Sequence, residues 1–302
     1  MPPLSEHMRN RRWLKGIGER HMRISGRNII SVCIVILGLG LAAYPFISNY
    51  LYEYEQQEVT AGYDETVAEI SDEALKEARQ KAEDYNSELL KSDMIITDPF
   101  GSRVVKNSDS KRKYEEIMNL YGDGIMGILE IPAIDIKLNI YHGASSEVLE
   151  KGVGHLENTS FPIGGRGSHS VLSAHTGLDD KKLFTDLELM EKDDVFYIRM
   201  LNEILAYRVD QIKTVEPENV EDFRIDREKD YVTLVTCTPY GVNSHRLLVR
   251  GVRIPYEEPE QDIQTRESES KWMRQYLMVI LTGLVVLAVV MASYKIWRSR
   301  RN

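Results

Sequence analysis

The stretch YVTLVTCTPYGVNSHRLLVRGVRI, residues 231–254, holds two runs rich in β-branched and apolar residues, separated by a loop that contains Pro, Gly and Asn. This pattern predicts two antiparallel strands joined by a short connection. Cys237 is the last residue before the loop, and Arg246 begins the returning strand. We therefore expect the thiol and the guanidinium to be near cross-strand neighbours.

Similar β-rich runs recur over residues 126–256, and Gly, Pro, Asn and Asp separate them. The runs upstream of the hairpin read MGILEIP, IDIKLNIYHG, SVLSAH, DVFYIRM and ILAYRVDQIKTV. Many short strands with regular turn signals are typical of all-β domains. The sequence predicts a barrel or sandwich of about 130 residues here.

Two segments, residues 29–47 and 276–294, contain no charged residue over 19 positions each. A helix of that length rises nearly 30 Å, enough to cross the hydrocarbon core of a bilayer. A cleaved signal peptide is the alternative for the first, with Ala42 and Ala43 as cleavage-site residues, but the run exceeds a usual signal core and favours an uncleaved anchor. A buried core helix is the alternative for the second, but the basic flank KIWRSRRN favours a membrane span.

Charge predicts the orientation of both spans. The two ends of the chain, residues 1–28 and 295–302, hold 11 of the 38 Lys and Arg residues and 2 of the 47 acidic ones. Basic flanks lie on the cytoplasmic side, so both termini are predicted to be cytoplasmic and the β domain extracytoplasmic. The remaining 27 bases and 45 acids give that outer part a negative surface, which disfavours a nucleic-acid partner.

Between the first span and the β domain the sequence predicts helices and a loop. Apolar residues spaced three and four apart over residues 64–90 indicate an amphipathic helix that docks on a larger body. A second short helix is predicted over residues 114–121. Between them, DPFGS carries strong helix breakers and leaves Phe100 on an extended loop.

The two cysteines have different surroundings in this topology. Cys33 lies within the first span, so it has no route to a disulfide with Cys237 outside. An unpaired thiol in an oxidising compartment indicates a reactive role, with a buried inert cysteine as the alternative. His175 is the best-placed partner for such a nucleophile, because SVLSAHTGL is an apolar strand that ends at the histidine.

Three motifs resemble those of sortases, the membrane-anchored transpeptidases of Gram-positive bacteria. TLVTC (233–237) resembles the signature around the family's cysteine, SAHTGL the segment around its histidine, and HRLLVRG the segment around its arginine. The resemblance implies the sortase-type closed β-barrel with short helices. It also implies that Cys237 is the nucleophile, His175 the acid/base partner and Arg246 the stabiliser of substrate and oxyanion.

Two further features resemble class C, the pilus-assembling sortases. One is the second membrane span, and the other is DPF, which resembles the class C lid motif of Asp-Pro followed by an aromatic residue. The resemblance implies a lid of Asp98, Pro99 and Phe100, with Asp98 facing Arg246 and Phe100 covering Cys237. The alternative is that Asp98-Pro99 only initiates a turn.

The resemblance implies a cysteine transpeptidase that cleaves LPXTG-like sorting signals and joins pilin subunits through lysine. The first alternative is a sortase that attaches surface proteins to the peptidoglycan precursor, and the remote one is a non-enzymatic two-span receptor or scaffold. No cofactor or metal is predicted. The expected organisation is a cytoplasmic tail (1–28), a span (29–47), a helical segment with the lid (48–125), the catalytic barrel (126–256), an acidic linker (257–275), a span (276–294) and a second tail (295–302).

Overall fold

The computed structural model of the 302-residue chain describes residues 26–91, 96–101, 108–120, 122–176, 178, 181–257 and individual positions between 278 and 299. The chain divides into two compact units, one that ends at Ala43 and one that begins at Tyr44. The second unit contains every strand among the described residues.

Eight strands form the centre of this unit. They are β1 (Ile125–Ile131), β2 (Ile136–His142), β3 (Val153–His155), β4 (Ser168–Ser173), β5 (Val195–Met200), β6 (Glu203–Val215), β7 (Asp230–Thr238) and β8 (His245–Ile254). They close into a barrel in the order β1-β2-β3-β4-β7-β8-β6-β5. The pairs β2–β3 and β4–β7 are parallel, and the other six are antiparallel. The predicted mainly-β closed barrel is confirmed.

The hairpin of residues 231–254 forms one wall of the barrel. β7 and β8 pair over eight positions, from Tyr231 opposite Val252 to Thr238 opposite His245. Gly251 lets β8 approach the core closely, because a Cβ there would lie 2.5 Å from the Phe196 ring. Apolar side chains of both strands are buried in the core, including Val232, Leu234 and Val249.

Within the described part of the chain up to residue 257, four helices accompany the barrel: α1 (Gly26–Glu69), α2 (Asp72–Lys91), α3 (Ser108–Glu116) and α4 (Ser146–Lys151). Short 3-10 turns at Pro132–Ile134, Thr185–Leu189 and Glu221–Phe223 complete the connections.

The prediction of a single amphipathic helix over residues 64–90 is wrong, because the chain forms two helices there. α1 ends at Glu69, and Ser71 starts α2 by accepting a hydrogen bond from the Ala74 amide at 3.3 Å. Asp72 and Glu73 in the first turn complement the positive end of the new helix. The docking function is confirmed, since α2 buries Leu75, Ala82 and Leu89 at seven-residue spacing, whereas Ala74, expected in the apolar stripe, is exposed.

The helix predicted over residues 114–121 begins and ends earlier than expected, spanning Ser108–Glu116. Met118 has a left-handed backbone, with φ of 63°, which ends the helical turn. The side-chain oxygen of Asn119 then accepts hydrogen bonds from the amides of Gly122 and Gly124 at 2.9 and 3.1 Å. These bonds fix the turn that leads into β1.

Helix α1 combines an apolar N-terminal part with a C-terminal part that packs on the barrel. Among the described residues, one helix is long and apolar enough to cross a membrane, and it is the part of α1 from Ile34 onward. Of the second predicted span, residues 276–294, positions 278, 280–288, 291 and 292 are helical, and the others lie outside the described residues. The cytoplasmic tails 1–28 and 295–302 and the linker 257–275 also lie largely outside them.

Candidate active site

Cys237 and Arg246 face each other across the β7–β8 hairpin. They are direct cross-strand partners in the antiparallel register, as the sequence predicts. Opposed residues of an antiparallel pair have Cβ atoms about 4.5–5.5 Å apart, so the cation lies beside the thiol. The Arg246 side chain is 10% exposed and Cys237 is half-buried, which places the pair in a partly desolvated setting.

His175 reaches the same end of the barrel through β4. β4 runs parallel to β7, with Ser173 opposite Val235. Beyond the strand, the Ala174 amide donates to the Val235 carbonyl at 3.2 Å, and the Thr236 hydroxyl donates to the Ala174 carbonyl at 2.8 Å. These bonds tie the residue before His175 to the two residues before Cys237.

A hydrogen bond from the segment after β4 also fixes the backbone of His175. The Phe184 amide donates to the His175 carbonyl at 3.0 Å, and Phe184 is fully buried. His175 is therefore fixed by β4 on one side and by a buried aromatic anchor on the other. The predicted approach of histidine and cysteine at one rim follows from this pairing of β4 with β7.

The DPF segment lies over this end of the barrel. Arg246 donates from Nε to Asp98 Oδ1 at 2.8 Å and from NH2 to Asp98 Oδ2 at 2.7 Å. The Phe100 ring lies 5.1 Å from the guanidinium carbon of Arg246 and 5.7 Å from the centre of the His175 ring. The segment therefore occupies the Nε and NH2 donors of Arg246 and contacts His175.

Asp98-Pro99 also initiates a turn, but it does not only do so, since Asp98 binds Arg246. The Gly101 amide donates to the Asp98 carbonyl at 3.0 Å, which closes a turn with Pro99 at its second position and glycine at its fourth. Pro99 is buried. The turn is what aims the Asp98 carboxylate and the Phe100 ring at the same site.

The DPF segment, called the covering segment from here on, also packs against a small apolar cluster. Phe100 and Ile96 pack against a group of buried side chains, namely Leu156, Val171, Phe223, Val235 and Leu248. Because these contacts are apolar and the Asp98–Arg246 contact is ionic, the segment is held by two independent kinds of interaction.

The electrostatics of the covered site favour neutral forms of the thiol and the imidazole. Burial raises the pKa of the Cys237 thiol above its usual value, Arg246 lowers it, and Asp98 raises it further. Burial lowers the pKa of His175, and Glu150 partly opposes this. Burial also lowers the pKa of Arg246, but its hydrogen bonds to Asp98 raise the pKa above the usual value. At neutral pH the covered site therefore holds a protonated thiol, a neutral imidazole and a guanidinium cation.

Residues 129–254 match the sortase domain family. The solved sortase C of Streptococcus pneumoniae is 43% identical, covers 67% of this chain and 100% of its own, and superposes with a TM-score of 0.59. The chain belongs to the sortase family.

Other sortases give the same result. Sortase C1 of GBS Pilus Island 1 is 37% identical over 70% of this chain and 98% of its own, with a TM-score of 0.61. Sortase A of Listeria monocytogenes is 25% identical over 82% of this chain and 97% of its own length. The predicted cysteine transpeptidase is confirmed at the level of the family, and the non-enzymatic receptor or scaffold is excluded.

Three other histidines of the sortase domain, His142, His155 and His169, have separate surroundings. His155 and His169 are buried in the barrel wall, with the pKa of His155 lowered by burial to about 3 and that of His169 to about 4. His142 lies between the carbonyl oxygens of Gly124 and Ile117. These three histidines hold backbone and side-chain groups together within the barrel and its connections.

One residue at this rim was not singled out by sequence reasoning. Thr236 is buried, and its hydroxyl links β7 to the residue before His175. Its signal was present in the TLVTC stretch, because the hydroxyl of a threonine inside an apolar strand needs a buried acceptor. Among the described residues, no group of three or more His, Cys, Asp or Glu side chains could hold a metal ion.

Proposed function

We propose that this sortase is a class C enzyme that polymerises pilin subunits through Cys237, His175 and Arg246. The observation that carries the proposal is the contact of Asp98 and Phe100 with Arg246 and His175, in a chain 43% identical to a sortase C whose substrates are pilins. A covering segment of this kind restricts access to the thiol until a substrate or a spontaneous opening displaces it.

The reaction starts when the covering segment leaves the site. When Asp98 and Phe100 move away, Cys237 is less buried and no longer close to a negative charge, and both of these had raised the pKa of its thiol. The thiol proton then passes to His175, and Arg246 stabilises the resulting thiolate. The guanidinium donors that Asp98 occupied become available to a substrate carbonyl.

The first chemical step is acyl transfer to sulfur. The Cys237 thiolate attacks the carbonyl carbon of the threonine in an LPXTG-like sorting signal, and Arg246 stabilises the oxyanion. The C–N bond to the following residue breaks, and His175 gives its proton to the departing amine. The product is a thioacyl enzyme.

The second step releases the acyl group to an amine. The side-chain amine of a lysine on another pilin attacks the thioacyl carbon, and its proton passes to His175. The C–S bond breaks, the sulfur takes up the proton, and an isopeptide bond joins the two subunits. Neither step consumes an oxidant, a reductant or a nucleotide.

Membrane attachment belongs to the same proposal. The apolar part of α1 has the length of a membrane span, and the basic residues before it favour a cytoplasmic N-terminus. The apolar composition of residues 276–294 and the basic residues after them favour a second span with a cytoplasmic C-terminus. The barrel would then act outside the membrane, where its pilin substrates are displayed.

The test uses the full chain with an LPXTG-type peptide and a lysine-bearing acceptor peptide. Mass spectrometry should detect an acyl group on Cys237, followed by a product in which the acceptor lysine is joined to the threonine. Cys237→Ala should abolish both species, whereas Cys33→Ala, which changes the other cysteine, should preserve them. Cleavage that survives in Cys237→Ala would contradict the assigned nucleophile.

An acceptor competition separates pilus assembly from wall anchoring. The same reaction is run with equal amounts of the lysine acceptor and an amine peptide of the peptidoglycan type. Polymerisation predicts mainly the lysine product. A product formed only on the peptidoglycan-type amine would leave the transpeptidase intact and overturn the pilin assignment.

A further inference from the structure

An exposed apolar stripe runs along α1 from Ile47, the last residue of the predicted span, to Tyr54. Ile47, Tyr50, Leu51 and Tyr54 are 56%, 68%, 59% and 55% exposed. Their spacing of i, i+3, i+4 and i+7 places them on one face of the helix. Large apolar side chains in such a row have no partner among the described residues of the barrel.

The barrel occupies a different face of the same helix. Tyr52 and Gln56 both donate to the Lys151 carbonyl, at 2.8 and 3.0 Å, and Tyr63 donates to the Met126 carbonyl at 3.1 Å. Tyr52, Gln56 and Tyr63 are buried. The exposed stripe therefore cannot be explained by packing of α1 on the barrel.

The stripe ends at a definite height. The next positions on its face are Gln57, Glu58 and Ala61, which end the row of large apolar side chains. Tyr54 is seven residues beyond Ile47, the last residue of the predicted span, or about 10 Å along the helix axis. The headgroup region adds roughly 5–8 Å to each side of the hydrocarbon core, so the stripe and this region have similar extents.

We propose that this stripe lies in the interfacial region of a phospholipid bilayer and seats the barrel against the membrane surface. The proposal rests on the membrane anchoring of the proposed function. Tyrosine suits this depth because its ring is apolar and its hydroxyl reaches water and headgroups. Glu53 and Glu55 on the neighbouring helix surface are also exposed, so apolar and aromatic contact with the lipid, rather than attraction to anionic lipid, drives the seating.

The connection between β4 and β5 contacts α1 at the same height. The Lys182 amide donates to Asn49 Oδ1 at 2.9 Å, and Asn49 is only two residues beyond Ile47. The Lys181 ammonium lies 5.3 Å from the centre of the Tyr52 ring. The segment between β4 and β5 therefore stands at the depth of the headgroups.

This seating fixes the height of the active site. The segment that meets Asn49 is the one bonded to His175 through Phe184, at 3.0 Å. Phe184 is two positions beyond Lys182, and each position spans at most about 3.6 Å, so the His175 carbonyl lies within roughly 20 Å of the hydrocarbon edge. A substrate must then present its scissile bond close to the membrane surface.

The test measures depth in the bilayer by electron paramagnetic resonance. The full chain with Cys33→Ala and Cys237→Ala is spin-labelled at single cysteines replacing Ile47, Tyr50, Tyr54 or Ile204, in nanodiscs of phosphatidylcholine and phosphatidylglycerol. Ile204 is the control, because it is exposed and close to Leu201, whose amide bonds Tyr63 about 24 Å beyond Ile47. Accessibility to oxygen and to a water-soluble nickel complex reports the depth of each label.

The expected result is a gradient of nickel accessibility along the helix. Labels at positions 50 and 54 should collide with the nickel complex at least about threefold less often than the label at 204, and the label at 47 least of all. Equal nickel accessibility at 50, 54 and 204 would overturn the proposal. Protection from both reagents together with dipolar broadening between labels would assign the stripe to a second copy of this chain and also overturn it.

The depth measurement does not depend on catalysis. Retention of the chain in the nanodisc tests anchoring, and transpeptidation by the parent chain tests the proposed function. Water-exposed labels at 50 and 54 in a labelled chain that is retained, when the parent chain is active, refute the seating alone.

Discussion

Arg246 and Asp98 form a two-bond ion pair, with the donor and acceptor atoms 2.8 and 2.7 Å apart. Their side chains are 10% and 14% exposed, so solvent screens the pair weakly. The two residues are 148 positions apart in the chain, and this pair joins the covering segment to β8. We propose that this pair controls the accessibility of the thiol on the neighbouring strand.

Breaking this pair should expose Cys237. Asp98→Asn removes the charge and one of the two acceptors, so the covering segment opens more often and the alkylation rate of Cys237 by iodoacetamide should rise by about tenfold. The matched control is Asp210→Asn, which breaks an equivalent pair with Arg250 at 2.9 and 2.8 Å, four residues further along β8. If the two variants label at the same rate as the parent, the ion pair does not hold the cover closed.

The same substitution should shift the pH dependence of alkylation. The negative charge of Asp98 raises the pKa of the Cys237 thiol, and burial raises it more. A neutral amide at position 98 does not repel the thiolate, whereas the Asp98 carboxylate does. The midpoint of the rate-against-pH curve should therefore move to lower pH in Asp98→Asn. Phe100→Ala should move it in the same direction by reducing burial. Asp210→Asn should keep the parental midpoint, and an upward movement in Asp98→Asn would contradict the electrostatic account.

The hydroxyl of Thr236 should matter for both stability and rate. Thr236→Val keeps the shape but leaves the buried Ala174 carbonyl without its donor, at an expected cost of about 1–3 kcal/mol in the free energy of unfolding. Because Ala174 precedes His175, kcat should fall while KM for the sorting peptide changes little. Thr236→Ser restores the donor and should recover most of both values. Urea denaturation and steady-state kinetics of the three proteins provide the comparison, and a silent Thr236→Val would show that β4 is held without this bond.

The barrel should lose stability in acid because of His155. Burial lowers its pKa from 6.5 to about 3, so the unfolded chain binds a proton below pH 6.5 that the folded barrel does not bind until about pH 3. The contribution of His155 to the free energy of unfolding is therefore fully present above pH 6.5. As the pH falls below 6.5, this contribution decreases by about 1.4 kcal/mol per pH unit, because one proton is involved.

The measurement for His155 is the urea midpoint between pH 7.5 and 4.5. His155→Gln removes the titrating ring while keeping a polar side chain, so its stability at pH 7.5 should be lower but its slope with pH shallower. His169 has a similarly lowered pKa of about 4 and continues to contribute in both proteins. An unchanged slope in His155→Gln would assign the acid sensitivity to other groups.

Local sequence patterns were sufficient for some features and insufficient for others. Alternating apolar residues and turn signals predicted the strands, and a short loop between two of them predicted that Cys237 and Arg246 are cross-strand partners, because hairpin pairing depends on residues close in the chain. The boundaries of the helices were predicted less well. The break at Ser71 depends on one capping bond that competes with an otherwise continuous helical pattern.

The amino-acid sequence by itself determined the β-rich character of the domain, the apolar segment before it, the hairpin that carries the thiol and the guanidinium, and the motifs that resemble those of sortases. These features depend on residue type and on spacing over a few positions. The tertiary structure alone decided that β4 lies parallel to β7, that Thr236 ties His175 to the cysteine strand, and that Asp98 and Phe100 lie on Arg246 and His175. Contacts between residues 60 to 150 positions apart have no local periodicity, because only closure of the barrel and burial of its core bring such residues together.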